Sequence, residues 1–575
     1  MVLFIGDSVI PQTFTSLAPF AYFEAAIIII AFINLGSALE VKARGKTSAA
    51  IRELTGLQAK NAQVVRNGKD YEVPIKDIVV GDTIRVRPCE KIAVDGVIIE
   101  GTASIDEAMI SGEPIPVNKK VGSKVISGTI NQHGSFLFSA TKVGADTFLA
   151  QIIKSVRRAQ ASKPNIAKLA DQIASVFVPI VLIISLITFI IWLVFGPAPQ
   201  FSYAFICSVT VLVIACPCAL GLATPLSIMV AVGKAAKSGI LIRGGNALQK
   251  ASKIDIILLD KTGTVTLGLP AVKTIIGSKG FSKERVLQYA ASIESGSEHC
   301  LAQAIIKANE SSLPLFKVED FKAIVGYGVR GRIGQDEVLL GNMELMHKNN
   351  IIIEELHKEI NDLLSQGQTL MFLAINKQLV GLISVIDPIK QDSSKAIAQI
   401  KQLGIKVMMV TGDNPQTANQ IAKQCGINQV QAQALPLDKI ELVKKLQNDG
   451  QVVAMVGDGI NDAPALAQAD VGIAIGTGTD VALASSDIVL IQGSLMKVLT
   501  AIELSKATLL NIKQNLIGAF FYNSIGIPIA AGLLFPMFGI LLNPMLAGFA
   551  MALSSLTVVS NANRLRWKNL DKHIV

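Results

Sequence analysis

Five apolar stretches, each long enough to cross a bilayer, run roughly from Pro19 to Leu39, Ile173 to Phe195, Phe205 to Val232, Leu516 to Phe535 and Phe538 to Val559. Two long polar regions interrupt them, one after the first stretch and one after the third. Such a chain cannot fold around one core in water, so membrane helices must alternate with soluble domains. The composition agrees: half of the 575 residues are hydrophobic, 17% are charged, and the mean hydropathy is +0.48.

Basic residues fix the sidedness. Lys42, Arg44 and Lys46 follow the first stretch, and Arg157, Arg158, Lys163 and Lys168 precede the second. Lys234, Lys237 and Arg243 follow the third, Lys506 and Lys513 precede the fourth, and Arg564, Arg566 and Lys568 follow the fifth. Simple alternation puts all of them on one side, whereas Gly196–Tyr203 on the other side carries no charge. Both polar regions are then expected in the cytoplasm. The net charge of +9 reads as a basic membrane rim rather than a nucleic-acid surface, since no Lys/Arg block is interleaved with aromatics. The six cysteines, Cys89, Cys207, Cys216, Cys218, Cys300 and Cys425, are scattered and suggest no disulfide framework. An odd number of spans places Met1 outside, yet no basic run precedes the first apolar stretch as in a signal peptide. A missing N-terminal portion is the expectation.

The first polar region is rich in short Val/Ile runs broken by Gly, Pro and Asp, as in Val79–Val86 and Val94–Ile99, and reads as a small β domain. The second contains three apolar strands, each ending in an acidic motif. Ile254–Leu259 leads into Asp260-Lys261-Thr262-Gly263-Thr264, Lys406–Val410 into Thr411-Gly412-Asp413, and Val452–Val456 into Gly457-Asp458-Gly459-Ile460-Asn461-Asp462. Helical patterns between the last two suggest a doubly wound parallel sheet, in which the site lies beyond the carboxyl ends of the strands. Leu269–Ser384 reads as an inserted module.

A carboxylate exposed at such a strand end can attack a phosphoryl group and form an aspartyl phosphate. That transfer needs Mg²⁺ and cations around the moving group. Asp260 can supply the nucleophile, Asp458 and the Thr262 backbone can hold Mg²⁺ through oxygen, and Thr411 and Lys439 can bind phosphoryl oxygens. In the third apolar stretch, Pro217 of Cys216-Pro217-Cys218 removes a backbone hydrogen bond and kinks the helix. Two thiolates beside the kink suit Cu⁺ or Zn²⁺ and are poor ligands for Ca²⁺ or Mg²⁺.

The three acidic motifs resemble the signatures of P-type ATPases. The resemblance implies a multidomain membrane protein: an α-helical transmembrane bundle, a β-rich actuator domain, a haloacid-dehalogenase-like α/β phosphorylation domain and an inserted α+β nucleotide-binding domain. Its expected division is 1–18 as an N-terminal remnant, 19–46 as the first transmembrane helix and 47–165 as the actuator domain. Transmembrane helices follow at 166–196 and 203–237. The phosphorylation domain takes 252–268 and 385–500, the nucleotide-binding domain 269–384, and the last two helices 508–535 and 538–566. Through the matched motifs Lys261 and Asp413 join the catalytic set, and Asp462 the surroundings of Mg²⁺. Ser111-Gly112-Glu113 resembles the family's Thr-Gly-Glu loop, in which Glu113 would position the hydrolytic water. Ser297-Glu298-His299-Cys300 resembles the heavy-metal subgroup's Ser-Glu-His-Pro motif, with His299 stacking on adenine and Glu298 accepting from its amino group. Gly326 and Gly328 would let the backbone approach ATP.

Zinc and copper pumps share Cys-Pro-Cys. Asn515, Tyr522-Asn523, Met551 and Ser554-Ser555 resemble the pattern of Cu⁺ exporters, whereas zinc-type relatives carry a Lys and an Asp that Leu516–Val559 lacks. Glu24 matches the exit glutamate. Asp171 matches an aspartate on the intake side, although a solvated helix-end charge explains it equally well. The implied activity is ATP-driven export of Cu⁺, and of Ag⁺, with ATP and Mg²⁺ as cofactors, membrane lipid as surroundings and no nucleic acid. The expected location is a bacterial inner membrane. Three further spans, an N-terminal metal-binding domain and the docking platform for a copper chaperone are expected in such pumps and missing from this sequence. A Zn²⁺/Cd²⁺ exporter, or a nucleotide-binding fragment without transport, are the alternatives.

Overall fold

The computed structural model describes residues 58–108, 116–162, 164–217, 219–278, 280–297, 300–309, 313–324, 326–413, 415–458, 462–476 and 485–568, with scattered positions between 27 and 56. The chain divides into two compact units, Met1–Lys253 with Thr500–Val575, and Ile254–Leu499.

In the first unit, nine short strands among the described residues build the β domain. Six form an antiparallel sheet in the order Lys69–Pro74, Asn61–Arg66, Thr83–Val86, Phe136–Lys142, Asp95–Gly101, Lys124–Val125, and three more pair as Val117–Lys119, Ala103–Asp106, Ile130–His133. Val64, Ile84, Ile98, Ile105 and Phe138 turn inward from alternating positions and fill its core. Within the Val/Ile run Val79–Val86 the strand begins only at Thr83. Asp82 accepts a hydrogen bond from the Val79 N–H (3.1 Å), and Gly81 takes φ +94°, so the chain turns there first. Asp95 is a buried carboxylate, accepting from the N–H groups of Ser127 (2.8 Å) and Phe148 (2.7 Å). The second bond ties the sheet to the first turn of α1 (Phe148–Ala161).

Among the described residues, the longer helices of this unit are α2 (Asn165–Phe195), α3 (Gln200–Ile214), α4 (Leu220–Lys237), α5 (Met496–Ala530, in this unit from Thr500 onward) and α6 (Pro544–Arg564). By length and composition α2, α4 and α6 can cross a membrane, and α3 is a shorter apolar helix. Small residues let them approach closely: Ala170, Ala219, Ala223, Ala519 and Ala562 share one buried cluster. Of the expected first helix at 19–46, only a few positions are described, and those are helical.

Three expected spans are corrected. The third is not one kinked helix, because the chain leaves helical geometry between Ile214 and Leu220. Pro217 lacks the N–H that would bond one turn back, and its ring crowds the carbonyl there. The fourth stops at Ala530 instead of Phe535. The indole of Trp192 on α2 donates to the Ala531 carbonyl (2.9 Å), and Gly532 takes φ +97° where a Cβ would strike that ring. The fifth begins late, at Pro544, where Asn543 caps the Met545 N–H (2.8 Å).

The second unit holds six strands of a parallel sheet, in chain order β1 (Ile256–Asp260), β2 (Lys406–Val410), β3 (Gln429–Gln431), β4 (Val453–Gly457), β5 (Val471–Ile475) and β6 (Ile488–Leu490). Their spatial order is β6-β5-β4-β1-β2-β3. β1 lies between β2, with Asp260 level with Val410, and β4, with Leu259 level with Val456. The inserted module is a six-stranded antiparallel sheet running from Ala271–Gly277 to Gln378–Ile386, with Lys283–Glu294 packed into its core.

Candidate functional site

Register alone brings the three acidic motifs together. Asp260, Thr411 and Asp458 occupy adjacent positions at the carboxyl end of β1, β2 and β4. Asp260 is 8% exposed. The Lys439 ammonium donates to Asp260 Oδ1 (2.6 Å) and to Asp462 Oδ1 (2.6 Å), and so bridges two buried carboxylates. Burial pushes the Asp260 carboxyl up to about 7, with Asp462 adding to the rise and Lys439 opposing it. Burial alone would depress the Lys439 pKa, but its two carboxylate partners outweigh it and hold the group above its ordinary value. Lys261 pairs with Asp413, whose N–H donates to Thr411 Oγ1 (3.2 Å). Thr262 lies in the turn Lys261–Val265, in which Gly263 takes φ +72°. At Gly457 a Cβ would collide with the Asp462 carboxylate, so that close approach requires glycine.

Sequence reasoning missed the scaffold behind this loop. Asp387 accepts from Thr266 Oγ1 (2.6 Å) and the Gly268 N–H (2.9 Å). Lys390 donates to the carbonyls of Gly263 (2.6 Å) and Gly493 (2.6 Å), and burial lowers its pKa to about 8. A lone Asp and Lys after a strand carry no pattern that could have revealed them.

In the inserted module, Gly326 and Gly328 take φ +80° and +149°, and a Cβ at Gly328 would strike the Leu340 carbonyl. Asn342, also missed, donates to the Gly326 carbonyl (3.0 Å) and fixes that glycine turn. Glu294 is 3% exposed, and burial raises its pKa; among the described residues its Oε2 has no hydrogen-bond partner. Glu298 and His299 lie outside the described residues, as do Glu113, Glu24 and Cys218.

Among the helices, the break after α3 exposes backbone carbonyls that α5 partly satisfies. Buried Asn523 donates to the Ala215 carbonyl (3.3 Å) and, at the limit of a hydrogen bond, to that of Cys216 (3.5 Å). Ser554 and Ser555 are buried on α6, and Met551 is half-buried one turn earlier. The Tyr522 hydroxyl lies 3.4 Å from Thr557 Oγ1 at a partly exposed flank, which leaves Asn523 as the member of that pair at the break. Asp171 is exposed in the second turn of α2. Cys216 is disulfide-bonded, whereas Cys89, Cys207 and Cys425 are free. Metal ligation at Cys216 requires the reduced thiolate.

A family profile for haloacid dehalogenase-like hydrolases matches residues 254–470, and one for the P-type ATPase actuator domain matches residues 56–157. The chain is 50% identical to a probable copper-transporting ATPase of Synechococcus elongatus over 98% of its own length and 76% of that protein. The chain belongs to the P-type ATPases. This P-type ATPase is also 50% identical to copper-transporting ATPase 1 of Rhizobium meliloti, over 95% of the chain and 66% of that relative, so it spans about two thirds of the relative's length. A silver-exporting P-type ATPase of Salmonella typhimurium is 45% identical over 96% of the chain and 67% of that protein. Among solved structures, a zinc-transporting PIB-type ATPase in the E2·Pi state aligns over 95% of the chain and 88% of that structure, with a TM-score of 0.62 and 32% identity. The multidomain fold read from the sequence is therefore that of this family.

Proposed function

We propose that the chain couples ATP hydrolysis, through an aspartyl phosphate on Asp260, to the export of Cu⁺, and of Ag⁺, across a bacterial plasma membrane. The observation that carries the reading is the Lys439 bridge onto Asp260 at the end of the central strand. One Asp260 oxygen attacks the γ-phosphorus of ATP and ADP departs. Lys439 then exchanges one carboxylate partner for phosphoryl oxygens, and Thr411 supplies a neighbouring hydroxyl. Hydrolysis follows when water, positioned by Glu113, attacks phosphorus, releasing inorganic phosphate and restoring the Asp260 carboxylate.

The residues around Asp260 fit Mg²⁺. Asp260, Asp458 and Asp462 outnumber Lys439, and the Asp260 pKa is raised partly by the other two carboxylates. Among the described residues no three ligating side chains form a ready-made metal cage. A hard cation that keeps several waters and takes one or two carboxylates beside substrate phosphate needs none. Asp260, Asp458 and the Thr262 carbonyl would hold it, with Asp462 alongside. Bound there, it would neutralise charge on the phosphoryl group. Lys439→Ala leaves Asp260 and Asp462 without their shared cation. It is expected to slow phosphoenzyme formation from ATP about 10²- to 10³-fold, read by rapid acid quench.

ATP is assigned to the inserted module, with Gly326, Gly328, Glu298 and His299 around it and buried Glu294 beside them. The metal is assigned to Cys216 and Cys218 with Asn523, Met551 and Ser554 as neutral neighbours, Tyr522 at the flank, and Glu24 and Asp171 along the route. A soluble copper chaperone would be the donor, and both polar regions would be cytoplasmic. The discriminating experiment is metal-stimulated phosphorylation of the reduced protein. Cu⁺ and Ag⁺ are expected to stimulate it and Zn²⁺ and Cd²⁺ not, because α5 and α6 offer no carboxylate to a divalent ion. The helix α5 does carry Glu503, but it lies more than three turns before the apolar part. Stimulation by Zn²⁺ alone would replace the copper reading with the zinc one.

A further inference from the structure

Three helices that carry the proposed metal ligands, or follow them directly, meet a second time at a buried knot of amides. Ser227 on α4 donates to Asn511 Oδ1 (2.8 Å), and Asn515 Nδ2 donates to Ser227 Oγ (3.1 Å), both asparagines being on α5. From α6, Asn561 Nδ2 donates to Asn515 Oδ1 (2.8 Å), and Asn511 Nδ2 returns a bond to the Asn561 carbonyl (2.8 Å). Ser227, Asn511 and Asn515 are all at most 3% exposed. The knot holds no thiolate or thioether to anchor Cu⁺, so it is not a second station for the metal.

Its placement gives it another use. Asn515 precedes Asn523 by eight residues on α5, and Asn561 follows Ser554 by seven on α6. Seven or eight residues are about two helical turns, so each asparagine lies on the same stripe of its helix as the ligand candidate above it. The 2.8 Å bond between Asn515 and Asn561 therefore sets the register of α5 against α6 at the metal level. Ser227 adds α4, the helix that starts directly after Cys-Pro-Cys.

We infer that the Ser227–Asn511–Asn515–Asn561 knot is a positioning device that holds α4, α5 and α6 in the register from which Cys216, Asn523, Met551 and Ser554 can share one soft cation. This inference rests on the Cu⁺ reading of the chain. It concerns the geometry of the metal site and leaves the chemistry at Asp260 untouched.

The test compares Asn561→Ala, Asn515→Ala, the double variant and Cys216→Ser in the full chain under reducing conditions. Interhelical hydrogen bonds in membranes are modest, so Asn561→Ala is expected to raise the half-saturating Cu⁺ concentration for phosphorylation by roughly three- to fifteenfold. Its maximal rate and its metal-free phosphorylation by inorganic phosphate should stay at the parent level. The double variant should be no worse than the worse single one, since both remove the same bond. An unchanged half-saturation in Asn561→Ala, or additive effects in the double variant, would overturn the inference. So would loss of the inorganic-phosphate reaction in Asn561→Ala while Ser227→Ala, which removes two bonds of the knot where Asn561→Ala removes one, behaves like the parent. Cys216→Ser separates the two claims. If it keeps full Cu⁺ stimulation the copper reading itself fails, and if it loses stimulation while Asn561→Ala shows none of these shifts, only the knot does.

Discussion

Asp260→Asn is expected to abolish phosphoenzyme formation from ATP completely. An amide oxygen at this position is a far poorer nucleophile than a carboxylate oxygen, and the adduct it would form is not the acyl phosphate that the next step hydrolyses. The substitution is nearly isosteric, so the site should keep its shape. The Lys439 ammonium can still donate to the amide oxygen that replaces Oδ1 and to Asp462, from which it now lies 2.6 Å. Removing one of two carboxylates that repel each other also relieves the burial of charge that raises the Asp260 pKa. The variant should therefore be at least as stable as the parent while inactive, and nucleotide binding by the inserted module should be unchanged. Thermal unfolding and acid-quenched labelling, run side by side, check both halves. Labelling that persisted at the parent level would move the nucleophile elsewhere.

Cys216→Ser is expected to remove metal-stimulated phosphorylation while leaving metal-independent nucleotide binding intact. A serine hydroxyl keeps the size of the side chain but is neutral and hard, and Cu⁺ prefers a polarisable thiolate. The change also removes the disulfide in which Cys216 takes part, so the parent must be assayed reduced for a fair comparison. Under oxidising conditions the parent itself should lose its metal response and regain it on reduction. The backbone break is not expected to repair itself in the variant, because Pro217 and the Asn523 amide that bonds the Ala215 carbonyl both remain. A reduced variant that answered Cu⁺ as the parent does would take Cys216 out of the metal path.

Much of the parallel sheet and of its strand-end motifs was legible because the signals are local. Lys406–Val410 is a strand as expected, since an apolar run between a helix end and Thr411-Gly412-Asp413 leaves few alternatives. The convergence of Asp260, Thr411 and Asp458 followed from parallel topology alone. Contacts distant in sequence were not legible. The end of α5 is set by Trp192, hundreds of residues earlier, through a bond to Ala531 that no apolar run announces. Lys390 and Asp387 support the turn after Asp260 from beyond the whole inserted module, and nothing in their immediate neighbours distinguishes them from ordinary loop residues. Pro217 announced an interruption, but whether a helix bends or breaks there depends on its neighbours. Here Asn523 compensates the freed carbonyls, and a break results. Asn511, Asn515 and Asn561 show the same limit: single asparagines in apolar helices state that a partner exists without saying which.

The central claim is that a soft monovalent metal drives phosphorylation of one aspartate. The most direct measurement is to incubate the reduced full chain with ATP and Mg²⁺, with Cu⁺ or with a Cu⁺ chelator, quench in acid, digest, and locate the phosphoryl group by mass. A phosphoryl group on the peptide containing Asp260, formed with Cu⁺ and absent with the chelator, is the expected result. Phosphate on any other residue, or equal labelling of Asp260 with and without Cu⁺, would contradict the account.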